Sequence, residues 1–248
     1  LSSMTNRTLQ YTKLMQLNGF NFEVRPDTTD EKVIPEVVGR NNYRRKGFLS
    51  PVAGETWFDL GANIGAFSVW ALGLGVRHIY AYEPHPDNVT LLRRNLQHNG
   101  WQNGEVTIHA AAITYDDTKT MPLYVCKGEA NKYRHTLRPV RGRQQIDVHV
   151  VSLLDELNEH VPDGVKMDVE GSEMAMLDNA KEWLGSIRKL CLEYHFDVDR
   201  KVANFHERIE NLRNVGFDVW HQPVPDVENY PYFPAARMVF AHNKSLQI

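Results

Sequence analysis

The sequence predicts an α/β fold, a doubly wound and mostly parallel seven-stranded sheet carrying a small N-terminal extension. Three observations predict it. From Glu55 onward, short apolar runs alternate with segments whose apolar residues recur every three or four positions. The first run, Thr56-Trp-Phe-Asp-Leu60, opens into the turn Gly61-Ala-Asn-Ile-Gly65. The second, His78-Ile-Tyr-Ala-Tyr82, ends in Glu83, about 24 residues beyond Asp59 and within the span of one β-α-β unit.

Ahead of this pattern, Asn21–Arg25 reads as a short strand, and Thr28, Thr29 and Asp30 cap a helix running through Val38. Leu1-Ser-Ser before Met4 reads as a cloning remnant and is set aside. Within the alternation, helices are expected at Ile64–Leu74 and Pro86–Asn99, the second with proline in its first turn and Gly100 after its end. Val106–Ile113 reads as the third strand. Residues 114–145 interrupt the rhythm with an extra strand, Met121–Cys126, and a basic loop, Lys127–Gln145. Asp147–Val151 is again strand-like and Leu153–Glu159 a short helix. Gly164–Val169 is the fourth core strand and Ser172–Leu184 its helix; Lys189–Phe196 is the fifth, followed by Lys201–Val215, which Gly216 stops. Phe217–Gln222 and Arg237–His242 close the sheet, joined by a loop holding Pro223, Pro225, Pro231 and Pro234.

With 248 residues, the chain is long enough for one large domain plus a small appendage. Its 24% charged residues nearly balance at a net −3, so no global field draws it to nucleic acid or anionic membranes. No apolar stretch reaches membrane-spanning length and the N-terminus lacks a secretory pattern. Cys126 and Cys191 each sit in an apolar run and read as buried thiols rather than a disulfide; a reducing, cytoplasmic setting is expected.

Two constellations carry chemistry. In the first, glycines let the turn after strand one approach a ligand, and Glu83 can accept hydrogen bonds from ribose hydroxyls. A dinucleotide site wants a glycine in the middle of that turn, where a pyrophosphate meets the helix N-terminus; here Asn63 stands there. A phosphate-free nucleoside fits better, and S-adenosylmethionine is the expected cofactor. Asn63 thereby argues against a nicotinamide-dependent oxidoreductase.

In the second, Lys166-Met-Asp168-Val-Glu170-Gly171-Ser-Glu173, strand alternation puts Lys166, Asp168 and Glu170 on one side. Three ionisable groups there are tolerable only at the sheet's exposed carboxyl edge, where such folds bind ligands. Glu193 and His195, ending strand five, reach the same edge. Glu173 has two readings, a first-turn acid favoured by the helix dipole or a functional group.

These residues resemble the FkbM family of S-adenosylmethionine-dependent methyltransferases, through Phe58–Ser68, Ala81–Asn88 and Val165–Glu173, with a further likeness at Val24–Asp30. The resemblance implies a class I methyltransferase fold over residues 51–248, with residues 1–50 as a capping extension, and O-methylation, commonly of sugar or polyketide hydroxyls. It implies that Asp59, Gly61, Ala62, Asn63 and Gly65 surround the methionine portion, with Glu83 on the ribose. Pro84 and His85 would flank the adenine, with Ala112 and Asp168 completing the cofactor site. Asp168 or His195 is the expected base, with Glu170, Glu193 and Lys166 beside it. A divalent metal, Mg²⁺ or Mn²⁺, held by Asp168 and nearby acids, is the alternative means of acidifying the acceptor hydroxyl; no cysteine–histidine cluster has zinc spacing. The acceptor is expected to be a small molecule or glycan. The basic residues Lys132, Arg134, Arg138, Arg141 and Arg143 read as a solvated loop or as a clamp for an anionic acceptor. RNA is the alternative acceptor on the same fold, with Arg44–Lys46 adding some charge.

Overall fold

The computed structural model describes residues 11–40, 42–45, 50–101, 104–115, 117–126, 135–179, 183–196, 202–223 and 236–246. Its centre is a seven-stranded sheet. In chain order the strands are β3 (Thr56–Leu60), β4 (His78–Tyr82), β5 (Val106–His109), β9 (Gly164–Met167), β10 (Lys189–His195), β11 (Phe217–Pro223) and β12 (Ala236–Asn243). In space they run β11-β12-β10-β9-β3-β4-β5, the five from β10 to β5 parallel and the β11–β12 pair antiparallel. The order reverses between β3 and β9, so the carboxyl ends of those strands flank the crevice where such sheets take ligands.

The central strands β3, β9 and β10 are buried on both faces. Trp57, Ile79, Ala81, Cys191, Met238 and Phe240 face one apolar layer, formed with α2 (Ala66–Gly73) and α3 (Pro86–His98). Phe58, Leu60, Val165, Met167, Leu190 and Leu192 face the other, against α4 (Leu153–Glu159), α5 (Glu173–Asp178) and α6 (Val202–Asn214). The period-2 alternation puts Asp59, Lys166, Glu193 and His195 on the α2 side.

The N-terminal extension belongs to that same layer. β1 (Lys13–Leu17) and β2 (Phe20–Val24) form a hairpin closed by Asn18-Gly19, both at positive φ (51° and 85°), the twist two-residue hairpin loops prefer. β1 is absent from the sequence expectations, although Asn-Gly between two short runs is a hairpin signal. The other edge of β2 meets side chains of α3: Asn95 Oδ1 accepts from the Glu23 amide at 2.6 Å and Asn99 Oδ1 from the Asn21 amide at 2.9 Å. Phe22, Val24 and Ile34 are fully buried against α2 and α3.

Three expectations change. The helix foreseen through Val38 is α1 (Asp30–Ile34), then one π turn over Pro35–Gly39. Pro35 has no amide hydrogen to continue the regular ladder, and its carbonyl accepts from Arg40, five residues on. The single strand foreseen over Val106–Ile113 is two. β5 stays in the main sheet, whereas β6 (Ala112–Thr114) leaves it to pair with β8 (Gln144–Ser152), which also pairs with β7 (Thr120–Val125). The helix foreseen over Ser172–Leu184 ends at Asp178. Both cysteines are free, Cys191 buried and Cys126 partly so. Most of the proline-rich loop, residues 224–235, lies outside the described residues, as do Lys132 and Arg134.

Candidate active site

The turn after β3 is held from below by charge. Asp59 is fully buried; its Oδ2 accepts from Ser68 Oγ at 2.7 Å, and Lys166 Nζ stands 3.1 Å from its Oδ1. The same ammonium donates to the carbonyls of Gly61 (2.7 Å) and Leu60 (3.3 Å). Burial works against the charge on Lys166, but Asp59 and Asp168 raise its pKa, so it stays an ammonium. This corrects the expectation for Lys166: it is only 3% exposed and is spent on Asp59 and the turn carbonyls rather than facing acceptor. Asp59 likewise sits beneath the turn, not on the cleft wall.

Above that pair the backbone takes left-handed conformations at Gly61 (φ 78°), Asn63 (51°) and Gly65 (89°). At Gly61 glycine is required twice, because a Cβ there would lie 1.8 Å from the Asp168 carbonyl oxygen. At Gly65 the close neighbour is Leu92 of α3, so this glycine serves packing and lies off the cleft. The Gly61 and Ala62 amides donate to the Tyr82 carbonyl, which ties the turn to β4.

Glu83 is buried and well held. Its Oε2 accepts from the Asn63 amide (2.9 Å), and its Oε1 from the His85 amide (2.8 Å) and Asn88 Nδ2 (3.2 Å). Burial pushes its pKa up and these donors push it back. Asn88 Oδ1 accepts in turn from Arg25, whose guanidinium makes a two-point pair with buried Asp30 (2.7 and 2.8 Å). A relay thus runs from the extension to the acid at the tip of β4.

The cleft over these strand tips holds about 600 Å³ of space, the solvent at its open mouth included. Gly61, Asn63, Glu83, Pro84 and Asn88 line it on one side, and Asp168, Val169 and Glu170 on another. Ala112, Ile113, Leu123, His135 and Leu137, all from the three-stranded side sheet and its connecting segment, supply an apolar wall. Sequence reasoning missed Leu123, His135 and Leu137; they fall in or beside the basic interruption, which has no periodicity to mark them. His85 caps α3 and stacks on His135, ring centroids 4.1 Å apart, so His135 rather than His85 reaches the cleft. Burial first, and then Arg25, lowers the pKa of His85 to about 4. His135 falls to about 2 for the same first reason, with His85 and Arg25 adding to it.

The acid turn departs from simple alternation. β9 ends at Met167; the Asp168 amide still donates to the Leu60 carbonyl, but Glu170 (φ 49°) and Gly171 (φ 111°) turn left-handed. Glu173, with no exposed surface, stabilises that turn by accepting from the Val169 (3.1 Å) and Gly171 (2.8 Å) amides. Its Oε1 also lies 3.0 Å from His195 Nδ1, so both readings of this acid meet in one carboxylate. His195 Nε2 faces Glu170 and Glu193 at 3.6 Å each and Asp168 at 3.9 Å. Burial alone would lower the His195 pKa; Glu170, Glu173 and Glu193 overcome it and hold it well above the ordinary value. Tyr43 reaches Asp168 Oδ2 at 3.4 Å, and Thr136 Oγ1 donates to the Glu170 carbonyl at 2.7 Å, tying the side sheet to the acids. Asp168, Glu170, Glu193 and His195 therefore meet at one edge as expected, and Lys166 does not join them.

The structure is similar to the methyltransferase FkbM of Methylobacillus flagellatus KT (TM-score 0.53, 16% identity), over 81% of this chain and 46% of that one. It is also similar to the methyltransferase SMU.776, solved in complex with SAH (TM-score 0.56, 12% identity), over 93% of this chain and 56% of that one. A SAM-dependent methyltransferase from Streptococcus mutans gives TM-score 0.51 at 11% identity, over 93% and 55%. This chain thus spans about half the length of each, and at these identities the likeness is one of fold. No curated protein matches. The sequence model of the methyltransferase FkbM domain matches residues 59–219, from the acid beneath the glycine turn to the strand pair closing the sheet, and the chain belongs to the FkbM methyltransferase domain family.

Proposed function

We propose that this methyltransferase takes its methyl group from S-adenosylmethionine and transfers it to a hydroxyl of a sugar, a glycan or a related small molecule. One observation carries the reading: the acidic side chains lining the cleft are Glu83, Asp168 and Glu170, beside Tyr82 and an imidazole held neutral, with no lysine or arginine among the described lining residues. An anionic wall repels a pyrophosphate and suits a donor bearing a sulfonium and an ammonium. Asn63 supports the same choice. Its Oδ1 is buried without a hydrogen-bond partner on the cleft wall, an acceptor where a dinucleotide site would need empty space.

The donor brings a methyl group already activated by positive sulfur. What remains for the protein is to orient the acceptor oxygen and receive its proton. In this reading Glu83 takes the ribose hydroxyls. The apolar wall of Pro84, Ala112, Ile113, Leu123, His135 and Leu137 receives the adenine, and the Gly61–Asn63 backbone borders the methionine end. Asp168 serves as proton acceptor, because its Oδ1 is buried without a hydrogen-bond partner beside the cleft. As the new O–C bond forms and the C–S bond breaks, the pair stays on sulfur and the hydroxyl proton passes to Asp168. Glu170 and Glu193 orient the acceptor, and Lys166 acts from beneath as a positioning residue.

The test is label transfer. Incubating the chain with methyl-labelled S-adenosylmethionine and a panel of sugars, nucleotide-linked sugars, glycans and RNA should place label on hydroxyl oxygens of the small acceptors. Label confined to RNA would overturn the acceptor class. A calorimetric titration in which NAD binds and S-adenosylmethionine does not would overturn the donor.

A further inference from the structure

The acids at the ends of β9 and β10 converge on one side chain. Four carboxylates, from Asp168, Glu170, Glu173 and Glu193, surround one imidazole, and Lys166, whose charge couples to Asp168, is committed to Asp59 and two carbonyls. Were an imidazolium alone the answer, its Nε2–H would be drawn to within about 3.2 Å of one acid. The three acids facing Nε2 stand at 3.6, 3.6 and 3.9 Å, and the atom is buried without a hydrogen-bond partner. Asp168 Oδ1, which faces it, is in the same condition. Two polar atoms are thus aimed at one point from which each lacks a partner.

From this geometry we propose that Asp168, Glu170 and His195 ligate a divalent cation of the Mn²⁺ type. One donor atom from each lies within 4.8 Å of the others. Ligands each about 2.2 Å from an ion stand roughly 3 to 4.4 Å apart across the usual range of angles, which brackets the 3.6 and 3.9 Å from Nε2 to Glu170 and Asp168. Glu173 plays the part of the carboxylate behind a metal-bound imidazole: fixed by two backbone amides, it holds Nδ1–H and leaves the Nε2 lone pair pointing at Asp168 and Glu170. Two carboxylates with one imidazole suit Mn²⁺ better than Mg²⁺, which favours all-oxygen surroundings, or structural Zn²⁺, which favours thiolate and imidazole. Because Asp168 and Glu170 also line the cleft, the remaining coordination positions open toward the acceptor, and Asp168 Oδ1, once a ligand, positions the acceptor instead of receiving its proton.

Metal binding is separable from methyl transfer and is tested without it. Titrating the full chain with Mn²⁺ should quench the free-ion EPR signal at one ion per chain, and pulsed EPR should detect the ¹⁴N coupling of a directly bound imidazole. His195→Gln should abolish that coupling. Glu170→Gln, at a half-buried position that spares the core, should weaken binding at least tenfold. Glu173→Gln should weaken it about 10- to 100-fold through misorientation of the ring. No quenching at millimolar Mn²⁺ in a natively folded sample, quenching without nitrogen coupling, or affinity unchanged in Glu170→Gln would each overturn the proposal. A parallel S-adenosylmethionine titration in chelator-treated buffer reports on the donor site alone, so the two ideas fail separately.

Discussion

The two halves of the cleft differ in how their charge is matched. On the donor side, Glu83 accepts three hydrogen bonds, Asp59 is matched by Lys166 and Ser68, and the turn is tied to β4 by two amides. Around the strand-four turn, four carboxylates crowd one imidazole, and His195 Nε2 and Asp168 Oδ1 are buried without hydrogen bonds. Satisfied polar groups make a rigid cradle, which suits a ligand always bound in one pose. One acceptor, Asn63 Oδ1, is left open on the donor side as well; around His195 the open atoms belong to ionisable groups, which are the ones able to act on a second molecule.

The contrast can be broken at its seam. Gly61→Ala sets a Cβ against the Asp168 carbonyl at a φ that alanine avoids, so it damages both halves together. A loss of about 4 kcal/mol or more in denaturant stability is expected, with donor binding undetectable by calorimetry; a native-like melting curve would show that the two turns are not in contact. Asp168→Ala acts on the reacting half only. Turnover should fall about 10³-fold, equivalent to about 4 kcal/mol of barrier, while donor affinity stays within a few-fold. Equal losses in both would dissolve the distinction.

The smallest effect is on pH. His85 is held neutral with its pKa lowered to about 4, against an ordinary 6.5 in the unfolded chain. Below pH 6.5 the unfolded state therefore binds the extra proton, and stability falls as pH drops from 6.5 toward 4. At pH 5 the loss from this ring is about 2 kcal/mol, and His135 acts in the same direction. Urea denaturation at pH 7 and pH 5 measures it, and His85→Phe should flatten the slope.

Much of the sheet was legible because both signals it rests on are local. Apolar runs mark β3, β4 and β10, and the Gly61–Gly65 turn with Glu83 marks the strand tips. What escaped was decided by pairing at a distance. Nothing between Val106 and Ile113 breaks a strand, yet the chain changes sheets there because Val150–Ser152 offers Ala112–Thr114 an edge. Period-2 reasoning put Lys166, Asp168 and Glu170 together, but β9 stops at Met167, and the left-handed Glu170 and Gly171 turn the chain aside before α5 begins. The pairing of Asp59 with Lys166 depends on β9 lying beside β3, a strand order that no local pattern encodes. Asn18-Gly19, in contrast, is a hairpin signal that local sequence does carry.

The relay Asp30–Arg25–Asn88–Glu83 has an evolutionary consequence. It links a segment near the start of the chain to the tip of β4 through the third helix, so the leading residues and that helix can drift only in concert. A lineage that recombined in a foreign beginning without a matching arginine would keep its seven strands and yet inherit a ribose-facing acid with one of its supports gone.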